Sequence, residues 1–127
     1  MTRCAVIGAG AWGTALANLL ASSRHDVVIW ALEPEVVESI NTLQRNERFL
    51  AGYPLEPGLR STGDILAAVK DAEVIVAAAP SHALRSVLTT AKSAISSKAP
   101  IVVATKGIES ESLALMSEVA EQVLPEN

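Results

Sequence analysis

The sequence predicts an α/β fold, a doubly wound parallel sheet with helices on both faces, arranged in three layers. Two observations predict it. Short apolar runs alternate with segments whose apolar residues recur at helical spacing, and a glycine-rich turn joins the first run to the first such segment. Half of the 127 residues are hydrophobic and 19% are charged, so we expect a single domain with a well-filled core.

The first half of the chain predicts two strands, each followed by a helix. Residues 3–7 form an apolar run that stops at a glycine, and residues 12–24 have an apolar helical face. A second run covers 27–31, and Pro34 after it suits the first turn of a helix. The inner face of this second helix is predicted to carry Val36, Val37, Ile40 and Leu43. The glycines and prolines of residues 49–58 then indicate a loop.

The second half predicts three more pairs of a strand and a helix. A weak strand over 59–61 leads to a helix over 64–70, with Ser61 and Asp64 as a capping box. A strong strand over 73–79 stops at Pro80, and Ser81 is expected to cap the helix that extends to Ile95, with His82 on its surface. The last pair is a strand over 101–105 and a helix whose apolar face covers 113–123.

Charge and cysteine content exclude several classes of function. The net charge is −4 with both signs interspersed, which argues against nucleic acid or an anionic membrane as partner. No apolar stretch has the length of a membrane span. The single cysteine, Cys4, lies in an apolar run, which excludes an intramolecular disulfide and favours a reducing, cytoplasmic location. No metal-ligand spacing and no nucleophile elbow is present.

The glycine turn carries the main functional signal. Gly8, Gly10 and Gly13 follow a strand and open a helix, which is the context of the dinucleotide-binding motif of Rossmann-type folds. Gly8 permits the tight turn, Gly10 lets a pyrophosphate approach the backbone, and Gly13 allows the helix to pack on the sheet. The helix amides then favour an anion. The motif therefore predicts NAD or NADP binding; the alternative is a tight turn that binds nothing.

The end of the second strand is expected to face the adenosine ribose. Glu33 stands twenty residues after Gly13, where an acidic side chain accepts hydrogen bonds from the ribose hydroxyls. It also precedes Pro34, so a charge partner for the helix end is the alternative. No arginine occupies this turn, and the sequence therefore favours NAD over NADP.

Several segments together resemble the NAD(P)-dependent glycerol-3-phosphate dehydrogenases. They are, in chain order, the glycine turn 8–17 with its aromatic Trp12, Val28-Ile29-Trp30, Asn46-Glu47-Arg48-Phe49-Leu50, Pro80-Ser81-His82 and Ala104-Thr105-Lys106-Gly107-Ile108-Glu109. The spacing between them agrees as well, so the resemblance covers nearly the whole chain.

The resemblance implies a set of cofactor contacts. Those near the pyrophosphate fall on the backbone of the turn, in particular Ala11 and Trp12, and further contacts fall on Leu32, Phe49 and Ala83. Many bacterial members carry arginine or histidine at the position of Leu32, which again favours NAD. The resemblance also assigns a lysine at the junction of cofactor and substrate phosphate, and this lysine falls on Lys106. Ala51 departs from the usual proline of the family.

The resemblance also implies an activity, the interconversion of dihydroxyacetone phosphate and sn-glycerol 3-phosphate, a precursor of glycerophospholipids. The family's catalytic lysine lies in a following helical domain, so residues 1–127 are expected to be an incomplete dinucleotide-binding domain with no catalytic residue and no turnover of its own. Two alternatives stay open: a dehydrogenase of similar layout that acts on a hydroxy acid or a sugar, and a non-catalytic NAD(H) sensor. The full-length protein is expected to form a homodimer.

Overall fold

A computed structural model describes all 127 residues and confirms the predicted fold class. Five parallel strands form one sheet in the order β3-β2-β1-β4-β5. The strands are β1 (Arg3–Ile7), β2 (Asp26–Trp30), β3 (Arg60–Thr62), β4 (Val74–Ala77) and β5 (Ile101–Val103). The helices are α1 (Ala11–Ser22), α2 (Pro34–Glu38), α3 (Ile65–Val69), α4 (Leu84–Ala91) and α5 (Met116–Val123). The chain thus winds outward from β1 to β3 and then returns to add β4 and β5 on the other side.

The core has two parts, one on each face of the sheet. Because side chains alternate along a strand, Val6 belongs to the part beneath α1 and α2, whereas Ile7 belongs to the part beneath α3, α4 and α5. The second part is the larger, with 18 buried residues against 12. On the α1 face no helix covers β5, and Val102 is exposed there. None of the helices combines the length and the apolar character that crossing a bilayer requires.

The cap of α3 differs from the prediction. Asp64 itself is the N-cap, and its carboxylate accepts hydrogen bonds from the amides of Leu66 and Ala67. Ser61 lies in β3 instead, where its hydroxyl donates to the carbonyl of Ile29 at 3.0 Å. The predicted capping box is therefore wrong, because the hydroxyl of Ser61 is used within the sheet and Asp64 caps the helix alone.

Two predicted helical faces are also wrong at their ends. After Glu38 the chain widens into a π-helical segment, Ser39–Leu43, which turns Leu43 outward so that it is 62% exposed. Leu113 has a left-handed backbone (φ 60°), and α5 begins only at Met116. In both segments the apolar residues recur at α-helical spacing in the sequence, but the backbone there is not α-helical.

The glycine turn brings α1 into direct contact with the end of β1. Gly8 has φ +115°, and a Cβ on Gly13 would lie 2.0 Å from the carbonyl oxygen of Gly8. A Cβ on Gly8 would lie 2.7 Å from the carbonyl oxygen of Ala78, which follows β4. This is the tight turn and close packing that the sequence predicts for these two glycines.

Replacing Gly13 by alanine is expected to destabilise the fold, although alanine normally stabilises a helix relative to glycine. The new methyl group cannot avoid the backbone of Gly8, so the free energy of unfolding should fall by about 3 kcal/mol, as in other overpacked cores. Urea unfolding followed by circular dichroism measures it. Gly58→Ala, where no atom lies within 4 Å of the added Cβ, is the matched control. A Gly13→Ala variant as stable as the unaltered chain would contradict the close packing.

Candidate dinucleotide-binding site

The first turn of α1 presents amides that no protein group satisfies. Gly10 is the N-cap and provides no side-chain hydrogen bond, and the amides of Ala11, Trp12 and Gly13 have no acceptor in the protein. No acidic side chain lies in this turn. A Cβ on Gly10 would meet no atom within 4 Å, so the space in front of the turn is open. Free amides and the positive end of the helix dipole together suit an anion such as a pyrophosphate.

A buried asparagine, for which the sequence predicts no role, attaches a distant loop to this turn. Asn46 is fully buried, and its side-chain amide donates to the carbonyl of Ala9 at 2.8 Å and to the hydroxyl of Thr14 at 2.9 Å. Its Oδ1 accepts from the amide of Phe49 at 3.1 Å. A fully buried amide with these partners fixes the segment 46–50 against the glycine turn. The only sequence signal for it is its place in the Asn46–Leu50 segment.

A cleft of about 460 Å³ lies beyond the carboxyl ends of β4 and β5, next to the glycine turn. Its lining consists mostly of small side chains and includes Trp12, Ala78, Ala79, Pro80, Ser81, Ala104, Thr105 and Lys106. Lys106 is its only charged residue, is exposed and forms no ion pair. This is the edge of the sheet where doubly wound folds bind ligands, and its one unpaired cation suits a phosphate.

The loops that follow β4 and β5 are joined on both sides of Lys106. Thr105 donates its hydroxyl proton to the carbonyl of Ala79 at 2.6 Å. Gly107 has φ +126°, and a Cβ there would lie 3.2 Å from the Cβ of Ser81. These contacts fix the backbone of Lys106, while its side chain stays free in solvent.

An ion pair extends this junction to α4. The guanidinium of Arg85 donates to both carboxylate oxygens of Glu109, at 2.8 and 3.0 Å, and Ser112 donates to the same carboxylate. The bond from Arg85, followed by the one from Ser112, lowers the pKa of Glu109, whose side chain is only 21% exposed. A bidentate pair of this kind restricts the loop that carries Lys106. The sequence shows Glu109 within a motif but gives no sign of its partner 24 residues earlier.

The other predicted site residues lie away from this cleft. Leu32 is 75% exposed just after β2, and Glu33 is the N-cap of α2 without a side-chain hydrogen bond. Phe49 is half-buried against the core beneath α1 and α2. Ala83 is the N-cap of α4 and does not line the cleft. The predicted residues thus form two groups, one at the cleft and one at the end of β2, with the glycine turn between them.

One expectation about these loops is wrong, and one contact is new. Ser81 does not cap α4, because the carbonyl of Pro80 accepts from the amides of Ala83 and Leu84 and closes the turn without a side chain. A cation does reach the end of β2: Arg48 comes from the loop segment 46–50 and pairs with Glu35 in the first turn of α2. The sequence does not predict this pair, because the two residues are 13 positions apart and the chain changes direction between them.

Together these residues fit a dinucleotide and give no indication of a metal. The open turn at Gly10 suits the diphosphate, the exposed residues after β2 suit a nucleoside, and the cleft with Lys106 suits the other end of the cofactor. No group of three histidine, cysteine or carboxylate side chains is placed to hold a metal ion.

Comparison with known proteins identifies what this arrangement is similar to. The family described as NAD-dependent glycerol-3-phosphate dehydrogenase N-terminus matches residues 3–127. A glycerol-3-phosphate dehydrogenase (NAD(P)+) from Rhodospirillum rubrum is 49% identical over 122 residues, which cover 96% of this chain and 35% of that protein. The protein of the same name from a Chelativorans species is 45% identical and covers 97% of this chain and 38% of its own length. The chain therefore spans little more than a third of these curated relatives.

The structural comparison agrees. The crystal structure of glycerol-3-phosphate dehydrogenase from Coxiella burnetii superimposes with a TM-score of 0.89 at 33% sequence identity. The match covers 97% of this chain and 38% of that one.

Replacing Glu109 by glutamine is expected to destabilise the chain at neutral pH and much less in acid. A carboxyl whose pKa is lowered by folding stabilises the protein above its unfolded pKa, near 4.5, and this contribution disappears as the pH falls through the lowered value. Thermal unfolding of the unaltered chain and of Glu109→Gln at a series of pH values measures the difference. Glu121→Gln on α5, which removes an unpaired carboxylate, is the control. A stability difference that does not change with pH would show that the ion pair contributes nothing.

Proposed function

Because the chain belongs to the family of NAD-dependent glycerol-3-phosphate dehydrogenase N-terminal domains, we propose that it holds the cofactor in an enzyme that interconverts dihydroxyacetone phosphate and sn-glycerol 3-phosphate. The observation that carries the proposal is the row of unsatisfied amides at Ala11, Trp12 and Gly13, behind the open space at Gly10. In many helices a capping side chain satisfies these amides, but Gly10 provides none, so they stay open to solvent or to a ligand.

In this proposal the cofactor lies across the carboxyl edge of the sheet. Its diphosphate binds at the start of α1, and its adenosine half lies toward Leu32, Glu33 and Phe49. Its nicotinamide half enters the cleft beside Pro80 and Lys106. When bound, the cofactor supplies the hydride of the reaction; the residues of this chain bind it, orient it and balance charge.

Lys106 is proposed to attract the phosphate of the substrate. Its ammonium group is exposed, unpaired and the only charge of the cleft, and the contacts of Thr105 and Gly107 fix its backbone. A cation so placed binds a phosphate dianion without taking part in proton transfer. The proposal assigns the catalytic lysine and most of the substrate pocket to a helical domain outside residues 1–127. The chain itself is then an incomplete dinucleotide-binding domain, inactive on its own.

Cytoplasmic location and homodimer formation by the full-length protein stay predictions. The free thiol of Cys4 is buried in the core, and burial, more than the nearby carboxylates Glu73 and Asp26, raises its pKa. A cysteine of this kind acts as a small apolar core residue and suits a reducing compartment.

Replacing Gly10 by valine is expected to abolish NADH binding and leave the helical content near normal. The side chain would project into the open space in front of the amides and meet no protein atom, so it excludes the diphosphate without disturbing the core. We expect the affinity to fall by at least about tenfold, which corresponds to a loss of about 1.4 kcal/mol.

Energy transfer from tryptophan to NADH measures this affinity, because Trp12 lies in the first turn of α1 and is 58% exposed. A Trp30→Phe background leaves Trp12 as the single reporter. Gly58→Val is the control, since Gly58 also has open space around it but lies far from the turn in sequence. Unchanged affinity in Gly10→Val would refute the proposed diphosphate site.

Replacing Lys106 by alanine in an intact dehydrogenase that carries this chain is expected to impair the use of dihydroxyacetone phosphate selectively. Loss of one charged hydrogen bond should lower kcat/KM for this substrate by roughly tenfold to a hundredfold. The Kd for NADH should change much less. Lys98→Ala, which removes an exposed lysine from the turn before β5, is the control. Equal losses for substrate and cofactor would indicate that Lys106 acts only on the structure of the loop.

A further inference from the structure

The ion pair between Arg48 and Glu35 lies at the surface and is open to solvent. Both side chains are more than half exposed, at 51% and 60%. The guanidinium carbon of Arg48 also lies 5.0 Å from the centre of the Phe49 ring. An exposed ion pair of this kind adds little to the stability of the fold, so we ask what else its position could serve.

That position is the turn that faces the adenosine ribose in the proposed function. Glu35 lies in the first turn of α2, two residues after Glu33 and three after Leu32. Arg48 lies on the segment 46–50, which Asn46 ties to the carbonyl of Ala9 in the glycine turn. Arg48 therefore connects the glycine turn to the start of α2, at the carboxyl ends of β1 and β2.

Among the ion pairs of the chain, Arg48 is the one cation that contacts the start of α2. Leu32 is apolar and Glu33 is acidic, so neither can bind a phosphate. Arg45 pairs with Glu47 within its own loop. Arg60, at the start of β3, pairs with Asp26, which is the first residue of β2 and hence lies at the opposite edge of the sheet.

NADPH differs from NADH by a phosphate on the 2′ oxygen of the adenosine ribose. This group carries close to two negative charges at neutral pH and offers three acceptor oxygens. A guanidinium binds such a group with two parallel hydrogen bonds, whereas a neighbouring carboxylate repels it. A phosphate bound at this turn would therefore compete with Glu35 for the guanidinium of Arg48.

We propose that Arg48 recognises the 2′-phosphate of NADP(H) and that Glu35, by pairing with Arg48, shifts the preference of the chain toward NAD(H). This inference rests on the proposed dinucleotide site. It also replaces Leu32, the position at which the family resemblance locates cofactor choice, with a pair of residues that come together only in the folded chain.

The test is the ratio of the Kd values for NADPH and NADH, measured on the 127-residue chain by energy transfer from Trp12. Arg48→Gln should weaken NADPH binding by about tenfold, the effect of one lost charge-assisted contact, and change NADH binding by less than about twofold. Glu35→Gln should strengthen NADPH binding by roughly threefold to tenfold because it frees the guanidinium. Arg45→Gln, which removes the same charge from the same loop, should leave the ratio unchanged. Circular dichroism of each variant checks that the fold is retained.

Each other outcome overturns the inference. If Arg48→Gln weakens the binding of NADPH and NADH equally, Arg48 only supports Phe49 and does not recognise the 2′-phosphate. If Arg48→Gln and Arg45→Gln raise the ratio equally, the loss of a positive charge anywhere in the loop accounts for the effect. An unchanged ratio in Glu35→Gln would show that Glu35 does not compete. These results all require NADH binding by the unaltered chain, whereas a chain that binds neither dinucleotide would refute the proposed function itself, and the inference with it.

Discussion

The contact between Gly13 and the carbonyl oxygen of Gly8 is the constraint on which the candidate site depends. With no side chain at either position, the first turn of α1 lies directly on the end of β1 and against the residues that follow β4. The helix therefore begins at the carboxyl edge of the sheet with its amides directed away from the protein core and toward open space. Any Cβ at Gly13 would push this turn away and move the amides with it. The chemistry of the site is mostly a consequence of this backbone geometry, and few side chains are needed to create it.

Two sets of polar contacts then fix the loops on either side of the turn. On one side, buried Asn46 attaches the segment that carries Arg48 and Phe49. On the other side, Thr105, Gly107 and the pair Arg85–Glu109 join the loops that follow β4 and β5. The contacts around Lys106 hold only its backbone and its neighbours, so its side chain is exposed. Arg48 pairs with Glu35 and is also more than half exposed. The groups that hold the loops in place are therefore different from the exposed cations. The loops can stay rigid while the charged side chains remain free to move toward a ligand.

The sequence predicted the order and type of the strands well and their boundaries less well. Apolar runs of five residues beside glycine or proline are strong local signals, and β1 matches its predicted range from Arg3 to Ile7. Predictions failed where the local sequence was compatible with more than one structure. Asp64 and Ser61 are both competent caps, and only the hydrogen bond from Ser61 to β2 decides between them. Leu43 and Leu113 keep a helical spacing, but a π-helical segment and a left-handed residue change the direction of the chain there.

By itself, the sequence determined the fold class, the glycine turn and the family, because these depend on periodicity and on residues close together in the chain. Only the tertiary structure decided which charges meet. Arg48 reaches Glu35 across 13 residues, Arg85 reaches Glu109 across 24, and Asn46 reaches Ala9 across 37. The partner of a long polar side chain depends on how loops cross the edge of the sheet, and no local pattern encodes that crossing. For this reason the sequence predicted a dinucleotide site but did not predict that Arg48 pairs with Glu35 near the end of β2.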